Sequence, residues 1–140
     1  MIFVLLITIN SPILPCRDLQ AKSYNKVCLK IGKKTFRAKF YKNKTAKALL
    51  RKLPLRMKMS ELNGNEKYKY LGFNLPTNEK KISKIKAGDI MLYGDDCLVI
   101  FYKSFETTYE YTRIGRVTDV KKFKKNVGSA SIMVLRKRRS

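Results

Sequence analysis

Six tyrosines, one glutamate and one arginine have the strongest claim on binding chemistry in this sequence. Tyr68, Tyr70, Tyr93, Tyr102, Tyr109 and Tyr111 fall in or beside apolar runs. Each offers a ring that stacks and a hydroxyl that hydrogen-bonds, which suits either a shared ligand groove or the core and rim of a sheet. Arg113 lies among these tyrosines, and Glu66 follows an Asn63-Gly64 turn. Two readings of that pair stand: a charged clamp on a peptide or small anion at a barrel mouth, or a salt bridge that locks a loop. Reaction chemistry is more restricted. The chain has no histidine, which removes His-based triads, His metal sites and the commonest general base at neutral pH. Cys16, Cys28 and Cys97 share no C-x-x-C spacing, so no structural zinc is expected. Cys28 and Cys97 both fall in predicted strands, as two reduced thiols or as one disulfide. Asp95 and Asp96 form a turn without further oxygen ligands for a metal, and Asp89 after Gly88 fixes a turn rather than acting as a base. No metal or cofactor is expected.

Charge bounds the partners. The 140 residues carry 32 Lys and Arg against 10 Asp and Glu, a net charge of +22. Attraction to a polyanion, either nucleic acid or an anionic surface, is one reading. Lysines that merely solvate the surface are the other, and the even spread of positive charge along the chain leaves both open.

The elements that must position these side chains are mostly strands. Residues 87–102 read as a hairpin around the Gly94-Asp95-Asp96 turn. Its second limb, Cys97 to Tyr102, is a continuous apolar and aromatic run of the kind covered on both faces. Val27, Leu29 and Ile31 alternate with polar positions, then Phe36, Ala38 and Phe40 do the same after a Gly32-Lys33 turn: a half-buried hairpin. Asn43 to Leu53 reads as a helix capped by Asn43 or Thr45 and stopped by Pro54. Leu55 to Met59 alternates as a strand, 60–67 as a loop, Tyr68 to Leu71 as a strand, and 74–86 as a polar surface connection. Tyr109 to Val117 is a strand whose Gly115 marks a bulge or close backbone approach. Thr118-Asp119 caps a short helix through Val127, and Ala130 to Leu135 is a last strand. About eight antiparallel strands with two short helices predict a mainly β fold, a closed barrel capped by the helices.

Outside that domain, residues 1–24 join an apolar run (MIFVLLITINSPIL) to a linker. The run is too short for a transmembrane helix and is similar to the apolar part of an export signal, though no basic segment precedes it. An extra strand is the other reading, and export to the envelope or medium is favoured over the cytoplasm. The barrel domain occupies 25–136. The basic tail, 137–140, with Arg136 before it, is either a phosphate grip or a frayed solvated end.

The order of motifs resembles the cyclophilin-like domain family, in particular its small uncharacterised bacterial and archaeal branch. The likeness runs from about Lys26 to Leu135. It rests on Leu53-Pro54-Leu55, on residues 59–68 (MSELNGNEKY), on Ala87 to Gly94 with Cys97 to Tyr102, and on Tyr111 to Gly115. The resemblance implies a cyclophilin-like barrel. It also raises peptidyl-prolyl cis-trans isomerase activity, in which an arginine near the proline nitrogen weakens amide resonance above an apolar floor. Carried over, Arg56 is the candidate catalytic arginine and Phe101 a floor residue, but the family's groove tryptophan and histidine have no counterpart here. The expected function is therefore a peptide- or small-ligand-binding module without full catalysis. Its candidate contacts are Glu66, Tyr70, Tyr93, Phe101, Tyr102 and Arg113. The isomerase and the polyanion binder are the alternatives.

Overall fold

The structure, a computed structural model, describes residues 24–139. The apolar N-terminal run and its export reading lie outside them. Alternation in the sequence becomes a barrel. β1 (Tyr24–Ile31) and β2 (Lys34–Tyr41) form the expected hairpin and turn Val27, Leu29, Phe36, Ala38 and Phe40 inward, each at most 2% exposed. α1 (Lys44–Leu50) follows. Asn43 caps it, its Oδ1 accepting from the Ala46 amide at 2.8 Å, and Thr45, Ala46 and Leu49 form its buried face.

The remaining strands are β3 (Leu55–Lys58), β4 (Ser60–Leu62), β5 (Glu66–Tyr70), β6 (Lys80–Lys81), β7 (Lys84–Ile85), β8 (Asp89–Tyr93), β9 (Cys97–Phe101), β10 (Phe105–Glu106), β11 (Glu110–Val117) and β12 (Ile132–Lys137). The main sheet runs β3-β12-β1-β2-β11-β8-β9-β5-β4, with β6 added on β11. Its two end strands, β3 and β4, are consecutive in the chain and separated only by Met59. A connection of one residue holds those two edges together, so the sheet curls into a nearly closed barrel. Met59 itself is buried, and its amide bonds the Ser131 carbonyl.

Two hydrophobic clusters result. The first fills the barrel with Leu29, Phe36, Ile90, Leu92, Leu98 and Ile100 among others. α2 (Val120–Val127) closes it with Phe123 and Val127, the Phe123 ring lying edge-on to Phe36 at 5.9 Å. The second lies outside the wall, where Ile85, Met91, Val99, Phe101 and Tyr111 pack together under Ile82 and Phe105. The β8–β9 hairpin is thus covered on both faces, as its continuous apolar run predicts.

Gly115 does both things expected of it. The β11–β8 register shifts between Arg113 and Gly115, and a Cβ there would lie 2.0 Å from the Lys39 carbonyl oxygen. Asp89 Oδ2 accepts from the Lys86 amide at 2.9 Å, fixing the turn into β8.

Several expectations are corrected. Part of the 60–67 loop is β4, a polar and exposed strand that pairs with β5. The 74–86 connection carries β6 and β7 and buries Ile85 completely. Asp119 stands at the N-cap of α2, but its side chain does not bond the helix; it accepts from the Arg37 amide at 2.8 Å and pairs with the Arg37 guanidinium at 2.7 Å. In the basic end, β12 pairs with β1 as far as Lys137, and the Arg138 amide bonds the Lys26 carbonyl at 3.1 Å. No described helix is long and apolar enough to cross a membrane.

Candidate functional site

Antiparallel register assembles a tyrosine-lined groove on the outer face of β5, β9, β8 and β11. Tyr93 on β8 and Tyr70 on β5 both stand opposite Cys97 on β9, which places the three in one row across the wall. Tyr68 is opposite Val99 in the next row, and Glu66 is opposite Phe101 in the one after. Leu62 on β4 flanks Glu66, and Tyr109 and Tyr111 close the other side, leaving a cavity of about 270 Å³. The rings brace one another. Tyr93 lies 5.6 Å from Tyr111 and 6.0 Å from Tyr109, and Tyr68 is edge-on to Tyr70 at 6.0 Å.

Exposure sets this groove apart. The large hydrophobic residues exposed among the described residues are Leu62, Tyr70, Tyr93 and Tyr109, and all four line it. Scattered single apolar residues are ordinary on a surface, whereas a contiguous concave patch marks a site of contact.

Burial sets the electrostatics of the floor. It raises the Glu66 carboxyl above the usual carboxylate range, and nearby Glu61 adds to the effect. Burial also pushes the Cys97 thiol up to about 11, with the charges of Asp96 and Glu66 contributing. The Tyr111 hydroxyl rises to about 12 for the same first reason, with Glu66 again contributing. The thiol and phenol are therefore neutral at pH 7, and a neutral thiol is a poor nucleophile. The groove offers stacking surface, phenol hydroxyls and one acidic group.

Of the residues singled out from the sequence, Glu66, Tyr68, Tyr70, Tyr93, Tyr109 and Tyr111 meet in this groove. Phe101 is fully buried behind it, supporting Tyr111 edge-on at 5.5 Å and contacting Phe105 at 5.7 Å. Tyr102 turns to the inner side of the wall, where its hydroxyl donates to Glu61 Oε1. Burial and that bond push its pKa up to about 12. Arg56 is exposed on β3, outside the groove, and is not brought to Phe101. Glu66 and Arg113 form no pair. They share the outer face but stand on strands three apart, about 14 Å at the usual interstrand spacing. Arg113 lines a separate lysine-rich pocket, with Tyr111 as the wall between the two. Cys28 and Cys97 are free thiols.

Sequence reasoning missed three features. Leu62 was hidden in the polar stretch read as a loop. Cys97 shows in the sequence as a wall residue and a thiol, and its alternation with Leu98 is the signal that places it on the outer face. Lys67 is buried and bonds Glu61 at 3.2 Å, an inward lysine that no local pattern announces.

Comparison with known proteins gives a consistent result. The model of a family described as cyclophilin-like matches residues 29–134. The solution structure of a hypothetical protein from Archaeoglobus fulgidus has a TM-score of 0.55 and 15% identity, over 83% of this chain and 96% of that one. At that identity the likeness is one of fold. Among curated proteins, none matches the chain.

Proposed function

Since the chain belongs to the cyclophilin-like family, we propose that it is a binding module that holds a peptide or small ligand in the tyrosine groove. The observation that carries this reading is the gathering of Leu62, Tyr70, Tyr93 and Tyr109, the exposed large hydrophobics of the described residues, in one cavity. Braced tyrosines lose little conformational freedom on contact, and their hydroxyls satisfy amide groups of a bound backbone. Glu66 at the floor favours a ligand that donates a hydrogen bond.

The chain has no tryptophan and five of its eight tyrosines line the groove, so tyrosine emission reports chiefly on it. Titration with a panel of Ala-Xaa-Pro-Ala peptides is expected to change that emission. Tyr93→Ala should weaken the tightest peptide at least tenfold, and Arg56→Ala should leave it within twofold. Equal affinity of the parent protein and Tyr93→Ala would end the groove reading. The rival isomerase predicts faster cis–trans exchange of the same peptides by NMR, against an uncatalysed barrier of about 18–20 kcal/mol. Exchange that Arg56→Ala abolishes would put catalysis in place of simple binding.

A further inference from the structure

The second concavity, next to the groove, has the opposite character. Lys42, Lys44, Lys47, Lys80 and Arg113 line a pocket of about 620 Å³, and no carboxylate lines it. None of the five belongs to an ion pair found among the described residues. They arrive from three separate segments: the β2–α1 corner with α1, the connection before β8, and β11.

Hydrogen bonds hold those segments in place. Asn43 Nδ2 donates to the Arg113 carbonyl at 2.9 Å, tying the corner to β11. The Thr45 hydroxyl donates to the Pro76 carbonyl, tying α1 to the connection. The Asn78 amide donates to Thr112 Oγ1 at 3.0 Å, tying the connection to β11. The cations therefore project from a fixed frame rather than from independent loops. Ile82 and Tyr111 add an apolar wall.

We propose that this pocket binds a compact oligophosphate group, either free or carried by a nucleotide. Converging like charges repel one another, and a ligand of several negative charges relieves that repulsion while gaining attraction in a concave site. The Arg113 guanidinium suits two phosphate oxygens at once, and the lysines supply point charges for the rest. A single concavity of this size favours a compact anion over an extended strand. Basicity spread over the whole surface would act differently: at physiological ionic strength the screening length is about 8 Å, so dispersed charges lose most of their reach while converging ones retain it.

The test is calorimetric titration of the protein with sodium tripolyphosphate at 150 mM salt. Saturable binding of one equivalent is expected. The double variant Lys44→Gln/Arg113→Gln should weaken it at least tenfold. Lys121→Gln/Lys125→Gln, exposed on α2, removes the same charge and should stay within twofold. All are exposed positions, and circular dichroism melts verify that each variant is folded. Absence of binding, or equal weakening in both double variants, overturns the proposal. A dT12 oligonucleotide that binds through the pocket a hundredfold tighter than tripolyphosphate overturns it too, because the occupant is then an extended strand. ATP binding tighter than tripolyphosphate identifies the source as a nucleotide using the Ile82 and Tyr111 wall. Equal binding identifies the phosphate group alone, and either result supports the site. Tyr93→Ala should leave tripolyphosphate binding unchanged, so this proposal and the groove reading fail separately.

Discussion

Tyr111 and Arg113 are two residues apart on one face of β11, yet they serve concavities of opposite chemistry. Tyr111 faces a groove of aromatic rings with a raised carboxyl at its floor. Arg113 faces a pocket of cations without a single acid. Alternation explains why both point outward, and the neighbours explain why they differ. The groove takes its walls from the ladder, where β8, β9 and β5 place Tyr93, Cys97 and Tyr70 in register. The pocket takes its walls from a helix corner and an irregular connection joined by side-chain hydrogen bonds. Register-built sites are set by the pairing of strands and loop-built sites by a few polar contacts, so the two should respond to different lesions.

The largest lesion should separate them. Phe101→Ala empties the space behind Tyr111 and is expected to cost about 3–5 kcal/mol in urea unfolding. Peptide binding in the groove should fall with it, while tripolyphosphate affinity holds under conditions where the variant is folded. Loss of both together would mean that the pocket also depends on the outer cluster.

Gly115→Ala should instead strike both. The added methyl would meet the Lys39 carbonyl at 2.0 Å, and overpacking of this kind costs about 1–3 kcal/mol. Because β11 carries a residue of each site, both affinities should drop as the strand shifts.

The smallest effect belongs to the groove alone. Burial raises the folded-state pKa of Glu66 above its unfolded value. The stability tied to its proton is therefore fully present below the ordinary carboxylate range and lost as pH rises through the raised value. Glu66→Gln should raise the urea midpoint at about pH 8 and leave it nearly unchanged at about pH 4. A midpoint raised equally at both would show that Glu66 keeps an ordinary titration.

Much of the fold was legible because its eight principal strands and two helices have local signatures. The Cys97 to Phe101 run announced a wall covered twice, and Gly115 announced a bulge. What escaped was set by partners distant in sequence. β4 has no apolar residue facing inward, and only pairing with β5 makes Ser60 to Leu62 a strand. β6 and β7 span two residues each, too few for any period to show. The site was half legible for the same reason. Glu66, Tyr70 and Tyr93 meet because three strands happen to be neighbours, an order that alternation does not encode. The same order holds Glu66 and Arg113 apart. The pocket's cations, spread from Lys42 to Arg113, share no motif, and among 32 basic residues they do not stand out.

The one-residue link at Met59 has a consequence for the protein among its own copies. Open sheets end in strands whose unpaired amides and carbonyls recruit foreign strands, and such edges seed aggregation. Here the strands that would be those edges are consecutive in the chain and only four and three residues long, so what they leave open gives a stranger little to pair with. The most hydrophobic strand, β9, sits between β8 and β5 well inside the ring, where no second molecule can pair with it. A chain this rich in strand can thus display an apolar groove to its ligand and still offer its own kind little to zip onto.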